Sequence, residues 1–322
     1  MKAVVRDRYG GPDVVELRDV GVPSIGPDDV LIRVVASSLN GSDAEVLRGV
    51  AFTRFGGLFR PRDPGLGTDV AGVVDAVGAN VSRFKRGDEV LGDLLALNRI
   101  GAFAEYVAAA ERVLRSKPVA VTFEEAATLP QAAVLALQAM RYGRWVEAGE
   151  HVLVNGAGGG TGTFAVQIAR GLGAEVTAVD GPTKHELLRA LGADHVIDHT
   201  KADFSNGDKR YDRVIDVVAR RSVLAARRAL NPGGIYLVVG GTTPRIIEYA
   251  TVGSVVSVAG RRRVRLMVAR LGDPDDTDEV LRLVEAGAVK PVIDRTVPLE
   301  GVSDAFRQLM NGQVVGKVVV LV

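Results

Sequence analysis

A glycine-rich segment between two apolar runs has the residue types and spacing that bind a phosphorylated cofactor. Residues 152–180 read VLVNGAGGGTGTFAVQIARGLGAEVTAVD. Small residues between a strand and a helix allow a tight turn, and they let backbone N–H groups approach a pyrophosphate at the helix N-terminus. A glycine loop alone is a weak signal, but the strand, helix and second strand of the dinucleotide fingerprint accompany it here. The predicted cofactor-binding residues of this turn are Gly156, Ala157, Gly158, Gly159, Gly160, Thr161 and Gly162.

Asp180 ends the second apolar run of this unit. A carboxylate at that place accepts hydrogen bonds from the ribose hydroxyls of adenosine and repels a 2′-phosphate, which favours NAD. The sequence DGPT that begins at Asp180 is also typical of an ordinary turn. Lys184 follows nearby and offers a positive charge for a 2′-phosphate. The residues therefore leave the choice between NAD and NADP open.

The composition restricts the classes of partner and chemistry. The chain has 322 residues, which exceeds the usual size of a single core and predicts two domains. Lys plus Arg number 40 and Asp plus Glu number 39, so we expect a small-molecule substrate rather than nucleic acid or a membrane. The absence of cysteine excludes disulfides, thiolate metal sites and cysteine nucleophiles. The start of the chain lacks a signal-peptide pattern, and we expect a cytoplasmic protein.

The apolar runs change in spacing near residue 122. Before it, short runs broken by Gly, Pro and Asp predict a compact, mostly antiparallel β domain; they read KAVVR, DVLIRVVAS, VAGVVDAVG, DEVLG and FAEYVAAA. After a helical stretch interrupted by Pro130, strand-like runs alternate with helical or loop stretches, which predicts a doubly wound parallel sheet. These later runs begin at residues 151, 175, 195, 213, 234 and 254.

The fold class that follows is α/β, with a β-rich domain joined to a Rossmann-type domain. We predict the first domain at 1–121, the Rossmann domain at 122–261, and a C-terminal segment at 262–322 that returns to the first domain. The basic run RRRVR at 261–265 is short and lacks interleaved aromatic residues, so we interpret it as a solvated face.

Several motifs in a fixed order resemble the medium-chain dehydrogenase/reductase superfamily, and most of all its zinc-free quinone oxidoreductase branch. They are GTDVAGVVDAVGANVSRFKRGDEV (67–90), GAFAEYV (101–107), AATLPQAAVLALQAM (126–140), the glycine-rich unit and the final GKVVV. The resemblance implies a GroES-like catalytic domain, a Rossmann domain that binds NAD(P)H, and a nicotinamide in the cleft between them. It also implies a dimer or a tetramer, of which we expect a homodimer.

The resemblance makes the absence of zinc ligands informative. Asn40 stands where zinc-dependent relatives carry a ligand cysteine, and GTD at 67–69 replaces their Gly-His-Glu. The histidines lie at spacings that indicate no metal set; they are His151, His185, His195 and His199. We therefore expect no metal, and direct hydride transfer from NAD(P)H to a quinone, enone or related carbonyl acceptor.

The resemblance also implies positions for further site residues. It places Asn40 beside the nicotinamide, where the amide would bond the cofactor ribose or the acceptor carbonyl, although a loop Asn that satisfies its own backbone is the alternative. Asp43 would cap or orient that loop. The remaining predicted cofactor-binding residues are His199, Gly240, Gly241, Thr242, Gly316 and Lys317.

Departures from the family pattern keep an alternative function open. Leu135 stands where these reductases often carry Thr, and His199 replaces a frequent Tyr. The candidate aromatic side chains for lining a substrate pocket are Phe52, Phe55 and Phe59, although we expect at least two of them to be packed in the interior instead. The alternative is a non-catalytic NAD(P)H-binding protein, like a lens crystallin. A short-chain reductase is disfavoured because no Tyr-x-x-x-Lys motif occurs, and a methyltransferase because it would not explain the N-terminal β domain.

Overall fold

The computed structural model describes residues 1–50, 53–54, 57–97, 100–258 and 261–322. Its internal contacts divide the chain into two compact units. The first comprises Met1–Val134, Arg270–Ala286 and Pro291–Val322, and the second comprises Leu135–Ala269 and Gly287–Lys290. Within the described ranges, no helix is long and apolar enough to cross a membrane.

The described residues form the following strands and helices. The strands are β1 (Lys2–Val5), β2 (Glu16–Asp19), β3 (Asp29–Ser38), β4 (Asp69–Val77), β5 (Glu89–Asp93), β6 (Tyr106–Ala110), β7 (Leu114–Ser116), β8 (His151–Asn155), β9 (Glu175–Asp180), β10 (His195–Asp198), β11 (Tyr211–Asp216), β12 (Leu230–Val238), β13 (Arg263–Leu266), β14 (Ile293–Pro298) and β15 (Lys317–Leu321). The α-helices are α1 (Gly41–Arg48), α2 (Phe123–Ala127), α3 (Ala132–Arg141), α4 (Gly160–Gly171), α5 (His185–Ala190), α6 (Val223–Arg228), α7 (Thr243–Glu248), α8 (Ser254–Val258), α9 (Pro274–Glu285) and α10 (Val302–Met310).

The first unit is β-rich and mostly antiparallel. Its larger sheet has the order β14-β15-β3-β4-β5-β7, with β6 also paired to β3, and β1 and β2 form a separate pair. Only β14 and β15 pair in parallel among its described strands. The five short runs predicted from the sequence are confirmed as β1, β3, β4, β5 and β6.

The second unit contains a six-stranded parallel sheet in the order β10-β9-β8-β11-β12-β13. β8 and β11 are neighbours although two strands separate them in the chain, so the winding direction reverses between them. Ligands of such sheets bind at the carboxyl ends of the strands at this switch point. Val152, Leu153 and Val154 of β8 are fully buried, which explains the continuous apolar run there.

Pro130 divides the helical pattern that follows residue 122 into two helices. α2 ends at Ala127 and α3 begins at Ala132, on either side of the proline, as predicted. Thr122 begins α2 with a capping box, because its hydroxyl accepts from the Glu125 N–H at 3.2 Å while its own N–H donates to the Glu125 carboxylate at 3.0 Å.

The prediction of a strand from residue 254 is wrong. Ser254–Val258 forms α8, which continues from α7 through a π-helical turn at Tyr249–Gly253. The sixth strand is β13, inside the basic run that we interpreted as a solvated face. There Val264 is buried while Arg263 is exposed, as expected for an edge strand. The Ser257 hydroxyl accepts from the Val264 N–H at 2.8 Å, and this contact holds α8 against β13.

Candidate functional site

The glycine-rich turn of the second unit joins β8 to α4. Gly156 has a φ of +81°, a conformation that favours glycine. The backbone N–H groups of Gly156 and Ala157 donate to the Val179 carbonyl of β9 at 3.0 and 3.2 Å. The turn is therefore held against the carboxyl end of the neighbouring strand.

Two further glycines allow close approach within this turn. A Cβ on Gly158 would lie 2.4 Å from Cδ of Lys184. A Cβ on Gly162 would lie 2.2 Å from the carbonyl oxygen of Gly156 and 2.6 Å from Cα of Ala157. Since the atoms that oppose residue 162 belong to the backbone, the packing of α4 on the turn requires glycine there.

The start of α4 provides the donors that an anionic group needs. The first N–H groups of a helix have no acceptor within the helix, and the helix dipole adds positive partial charge at that end. Gly159, Gly160 and Thr161 are half-exposed at this place. The turn, the free donors and the switch-point position together fit the diphosphate of a dinucleotide.

Asp180 turns its carboxylate toward the glycine-rich turn. One carboxylate oxygen accepts from the Gly158 N–H at 2.8 Å, and the other accepts from the Gly181 N–H at 2.8 Å. Nζ of Lys184 lies 3.5 Å from the second oxygen, and only 10% of the lysine side chain is exposed. Backbone donors and a buried ammonium thus share the negative charge at the end of β9.

His199 lies beside this group, where β10 ends next to β9. Its backbone N–H donates to the Asp180 carbonyl at 3.4 Å, and its Nε2 lies 3.8 Å from the position of a Cβ on Gly181. The structure therefore brings together Asp180, Lys184 and His199, which the sequence predicted separately.

The segment Gly240–Thr242 follows β12 at the same edge of the sheet. A Cβ on Gly240 would lie 3.3 Å from the carbonyl oxygen of Val217, which follows β11. Thr242 precedes α7, and its side chain makes no capping hydrogen bond. Leu135 is a half-buried residue of α3 in this same unit.

A buried polar network surrounds Asn40 in the first unit. Its Nδ2 donates to the Asp69 carboxylate at 2.7 Å and to the Thr68 hydroxyl at 3.3 Å, while its Oδ1 accepts from Nζ of Lys317 at 2.5 Å. Asn40 is 6% exposed and Lys317 is 2% exposed. The structure thus joins two predicted site residues, and both ends of the Asn40 amide have partners inside this unit.

Asp43 and Gly316 fix the backbone on either side of this network. The Asp43 carboxylate accepts from the Asn40 N–H at 2.8 Å, at the start of α1. Gly316 has a φ of +71°, and a Cβ there would lie 2.3 Å from the Val292 carbonyl oxygen. Glycine at this position allows the Lys317 N–H to donate to the same carbonyl at 2.9 Å.

Burial governs the charge of the carboxyl groups around Asn40. Asp43, Asp69 and Asp93 are each at most 1% exposed. Burial raises the pKa of Asp43 to about 7, and the nearby Asp69 adds to this shift. Burial also raises the pKa of Asp69 and raises that of Asp93 far more, while it lowers the pKa of Lys317. Within this network, the Lys317 ammonium opposes the effect of burial on the pKa of Asp69.

Sequence reasoning missed Asp69 and Asp93 as members of the network, and Asp216 in the second unit. Asp69 was considered only as part of a replaced zinc motif. Each of the three lies at an end of a strand, which is a weak signal because turns often carry aspartate there. Phe59 is 86% exposed, and Phe52 and Phe55 lie outside the described residues.

No group of three or more His, Asp or Glu side chains in the described part of the chain has the arrangement of a metal site. At the place where the resemblance puts zinc ligands, the Lys317 ammonium contacts Asn40 and lies 3.5 Å from the Asp69 carboxylate. A cationic side chain thus already lies among these polar groups.

The sequence matches two protein families and several related proteins. Residues 26–119 match the alcohol dehydrogenase GroES-like domain, and residues 191–320 match a family described as zinc-binding dehydrogenase. The chain is 36% identical to a 2-methylene-furan-3-one reductase from Solanum lycopersicum, over 99% of this chain and 79% of the relative. It is 34% identical to an NADPH-dependent alkenal/one oxidoreductase from Arabidopsis thaliana, with the same two coverages of 99% and 79%.

Two further similarities extend over whole chains. The quinone oxidoreductase of Homo sapiens is 32% identical, over 100% of this chain and 98% of the relative. The solved structure of a quinone oxidoreductase from Coxiella burnetii superposes with a TM-score of 0.90 at 29% identity, covering 100% of this chain and 99% of that one.

Proposed function

This chain belongs to the quinone oxidoreductase-like branch of the medium-chain dehydrogenase/reductase superfamily, and on that premise we propose that it is an NAD(P)H-dependent reductase of quinones, enones or related carbonyl compounds. The observation that carries the proposal is the glycine-rich turn at the switch point of the parallel sheet, in a chain that matches such reductases over its full length. The names of three relatives, a 2-methylene-furan-3-one reductase, an alkenal/one oxidoreductase and a quinone oxidoreductase, support this substrate class.

When bound, NAD(P)H supplies a hydride to the electron-poor acceptor. The residues of the second unit bind and orient the cofactor: the start of α4 provides N–H donors for the diphosphate, and the end of β9 provides Asp180 and Lys184 for the adenosine ribose. The predicted contact of Asn40 with the nicotinamide or the acceptor stays a proposal. Both Nδ2 protons are directed to Asp69 and Thr68, and Oδ1 accepts from Lys317, so Asn40 keeps one Oδ1 lone pair. That lone pair can accept from a hydroxyl of the cofactor ribose, whereas a bond to an acceptor carbonyl would need an Nδ2 proton to leave its present partner.

We propose that the protein accepts both NADPH and NADH. Asp180 opposes a 2′-phosphate, but its carboxylate is turned toward Gly158 and lies 3.5 Å from the ammonium of Lys184. The ammonium offsets part of the repulsion and is itself a partner for a phosphate. The similarity to an NADPH-dependent relative supports NADPH as one of the two cofactors.

We further propose that catalysis does not need zinc. The chain has no cysteine, and Asn40 and Thr68 supply amide and hydroxyl groups at positions where zinc-dependent relatives have Cys and His. Dialysis against a strong chelator is expected to leave the rate of NADPH oxidation unchanged. Loss of the rate, restored by added zinc, would contradict the proposal.

The family resemblance also supports a homodimer in the cytoplasm, and both statements remain proposals. Light scattering coupled to size-exclusion chromatography is the test of the dimer, with an expected mass of twice 34.0 kDa. A monomeric mass at micromolar concentration would exclude a stable dimer.

The direct test of the proposed function is a steady-state assay of NADPH oxidation with a panel of quinones, enones and saturated ketones. We expect turnover with quinones and enones and little with saturated ketones, because hydride transfer without a Lewis acid needs an electron-poor acceptor. The alternative, a non-catalytic NAD(P)H-binding protein, predicts cofactor binding by calorimetry with no turnover on any member of the panel.

A further inference from the structure

Asp216 ends β11 at the switch point of the parallel sheet, and its carboxylate is fully buried. One oxygen, Oδ1, accepts from Nδ2 of Asn155 at 2.7 Å, from the Val218 N–H at 3.0 Å and from the Ala219 N–H at 2.8 Å. The other oxygen accepts from the Tyr236 hydroxyl at 2.5 Å. Asp216 thus connects the end of β8, the segment after β11, and β12.

The segment Val217–Ala219 packs directly on the glycine-rich turn. A Cβ on Gly156 would lie 2.5 Å from Cγ2 of Val217 and 2.7 Å from Cγ2 of Val218. The Val217 N–H donates to the Asn155 carbonyl at 3.1 Å. The two valines therefore form one wall of the turn that we propose binds the diphosphate.

The same segment also packs on the second predicted cofactor turn, which follows β12. A Cβ on Gly241 would lie 2.5 Å from Cβ of Ala219 and 3.1 Å from the Val218 carbonyl oxygen. The segment 217–219, at the carboxyl end of β11, thus contacts both the turn after β8 and the turn after β12.

Ala219 shows that this middle segment is held in a strained conformation. Its φ is +37°, and it is the only non-glycine residue with positive φ in the described ranges. Such a conformation is strained for a residue with a side chain and persists only where the surroundings enforce it. The bonds from the Val218 and Ala219 N–H groups to Oδ1 of Asp216 provide that enforcement.

We propose that Asp216 is a positioning residue for the cofactor: its Oδ1 holds Val217–Ala219 in the shape that the dinucleotide site requires. This inference rests on the proposed function, because it assumes that the glycine-rich turn binds NAD(P)H. Asp216 acts through the backbone of 217–219 and through Asn155.

The two oxygens of Asp216 offer matched variants for the test. Asn155→Ala removes a donor to Oδ1, on the side of the cofactor turns, whereas Tyr236→Phe removes the donor to the other oxygen. Both remove one buried hydrogen bond to a carboxylate, so comparable losses of stability are expected. Asp216→Asn keeps a carbonyl oxygen for the three donors of the cofactor side, and Asp216→Ala removes it.

The measurements are the dissociation constant of NADPH by calorimetry and the urea unfolding midpoint of each cofactor-free variant. We expect Asn155→Ala to weaken binding about fivefold and Asp216→Ala about tenfold or more, with Tyr236→Phe and Asp216→Asn within about threefold of the parent chain. In steady-state assays the KM for NADPH is expected to rise for Asn155→Ala, with the KM for the acceptor unchanged.

Equal affinities for Asn155→Ala and Tyr236→Phe in folded proteins would overturn the inference, as would losses of affinity that simply follow the losses of stability. If Asp216→Ala does not fold, the comparison of the two milder variants still decides. Failure of the parent chain to bind NADPH or NADH would instead overturn the proposed function, which distinguishes the two failures.

Discussion

Asp43 contributes to the start of α1 at an electrostatic cost. Its carboxylate accepts the Asn40 N–H, yet burial raises its pKa to about 7. The folded chain therefore holds a proton between about pH 4 and pH 7 that the unfolded chain releases. Stability consequently falls as the pH rises through this window, and the loss is complete above about pH 7.

Asp43→Asn is expected to remove this pH dependence while it keeps an acceptor for the Asn40 N–H. Between pH 5 and pH 8 the parent chain should lose on the order of 1–3 kcal/mol more of its unfolding free energy than the variant. Urea unfolding at the two pH values measures this, with Asp19→Asn, at the exposed end of β2, as the control. Parallel pH profiles for Asp43→Asn and the parent chain would show that Asp43 is not the titrating group.

Asp180 is the residue at which cofactor choice is tested. Asp180→Ser removes a carboxylate from the predicted ribose site and leaves the Lys184 ammonium, so the ratio of kcat/KM for NADPH to that for NADH should rise by roughly fivefold or more. Glu186→Ser, which removes an exposed carboxylate from α5, is the control for the change of net charge. An unchanged ratio for Asp180→Ser would mean that Asp180 is an ordinary turn residue.

Asn40 illustrates what the sequence could and could not predict at the residue scale. Its identity, and the lack of cysteine, indicated that zinc ligands are missing. The network that surrounds it was not predictable, because Asp69 and Lys317 are 248 residues apart in the chain and meet only through the pairing of β15 with β3 and of β3 with β4. Such non-local contacts leave no periodic signal in the sequence.

At the scale of elements, two glycines of α4 allow the effect of close packing on stability to be measured apart from the effect of helix propensity. Gly162→Ala places a Cβ 2.2 Å from the backbone oxygen of Gly156, and a loss of several kcal/mol is expected because the opposing atoms are backbone. Gly171→Ala on the same helix meets nothing within 4 Å and should stabilise by up to about 1 kcal/mol. Urea unfolding of both variants is the measurement; equal effects would contradict the described contact of α4 with the turn.

The diphosphate site itself is tested at Gly160, the first residue of α4. Replacing Gly160 with Val is expected to block close approach of the cofactor and abolish NADPH binding in calorimetry while the fold persists. Unaltered affinity in a folded Gly160→Val protein would place the cofactor elsewhere.

Elements with strong local patterns were predicted well, and those that depend on tertiary context were not. β8, α4 and β9 were recognised because apolar runs and glycines mark their ends. The run SVVSVAG was misread because its valines favour strands, whereas the Ser257 contact with Val264 of β13 holds α8 in place. The alternation of Arg and apolar residues in β13 was a strand signal that the charge of the run obscured.

For the whole molecule, the fold class and the family are established, whereas the domain boundaries and the catalytic role of the first unit are not. The β-rich first unit and the parallel second unit have the predicted fold class, and the family is established by the relatives. The contacts place the changes of unit at 134/135, 269/270, 286/287 and 290/291. The boundaries at 121/122 and 261/262, and the assignment of a catalytic role to the first unit, remain predictions.

The central claim is hydride transfer from NAD(P)H to the electron-poor carbon of an enone, and deuterium labelling tests it most directly. The protein is incubated with NADPH that carries deuterium on the transferable position of nicotinamide C4, together with a linear enone, and the product is analysed by NMR. The account predicts the saturated ketone with one deuterium on the carbon that was β to the carbonyl. An allylic alcohol with deuterium on the carbonyl carbon, or no consumption of NADPH with any enone or quinone, would contradict it.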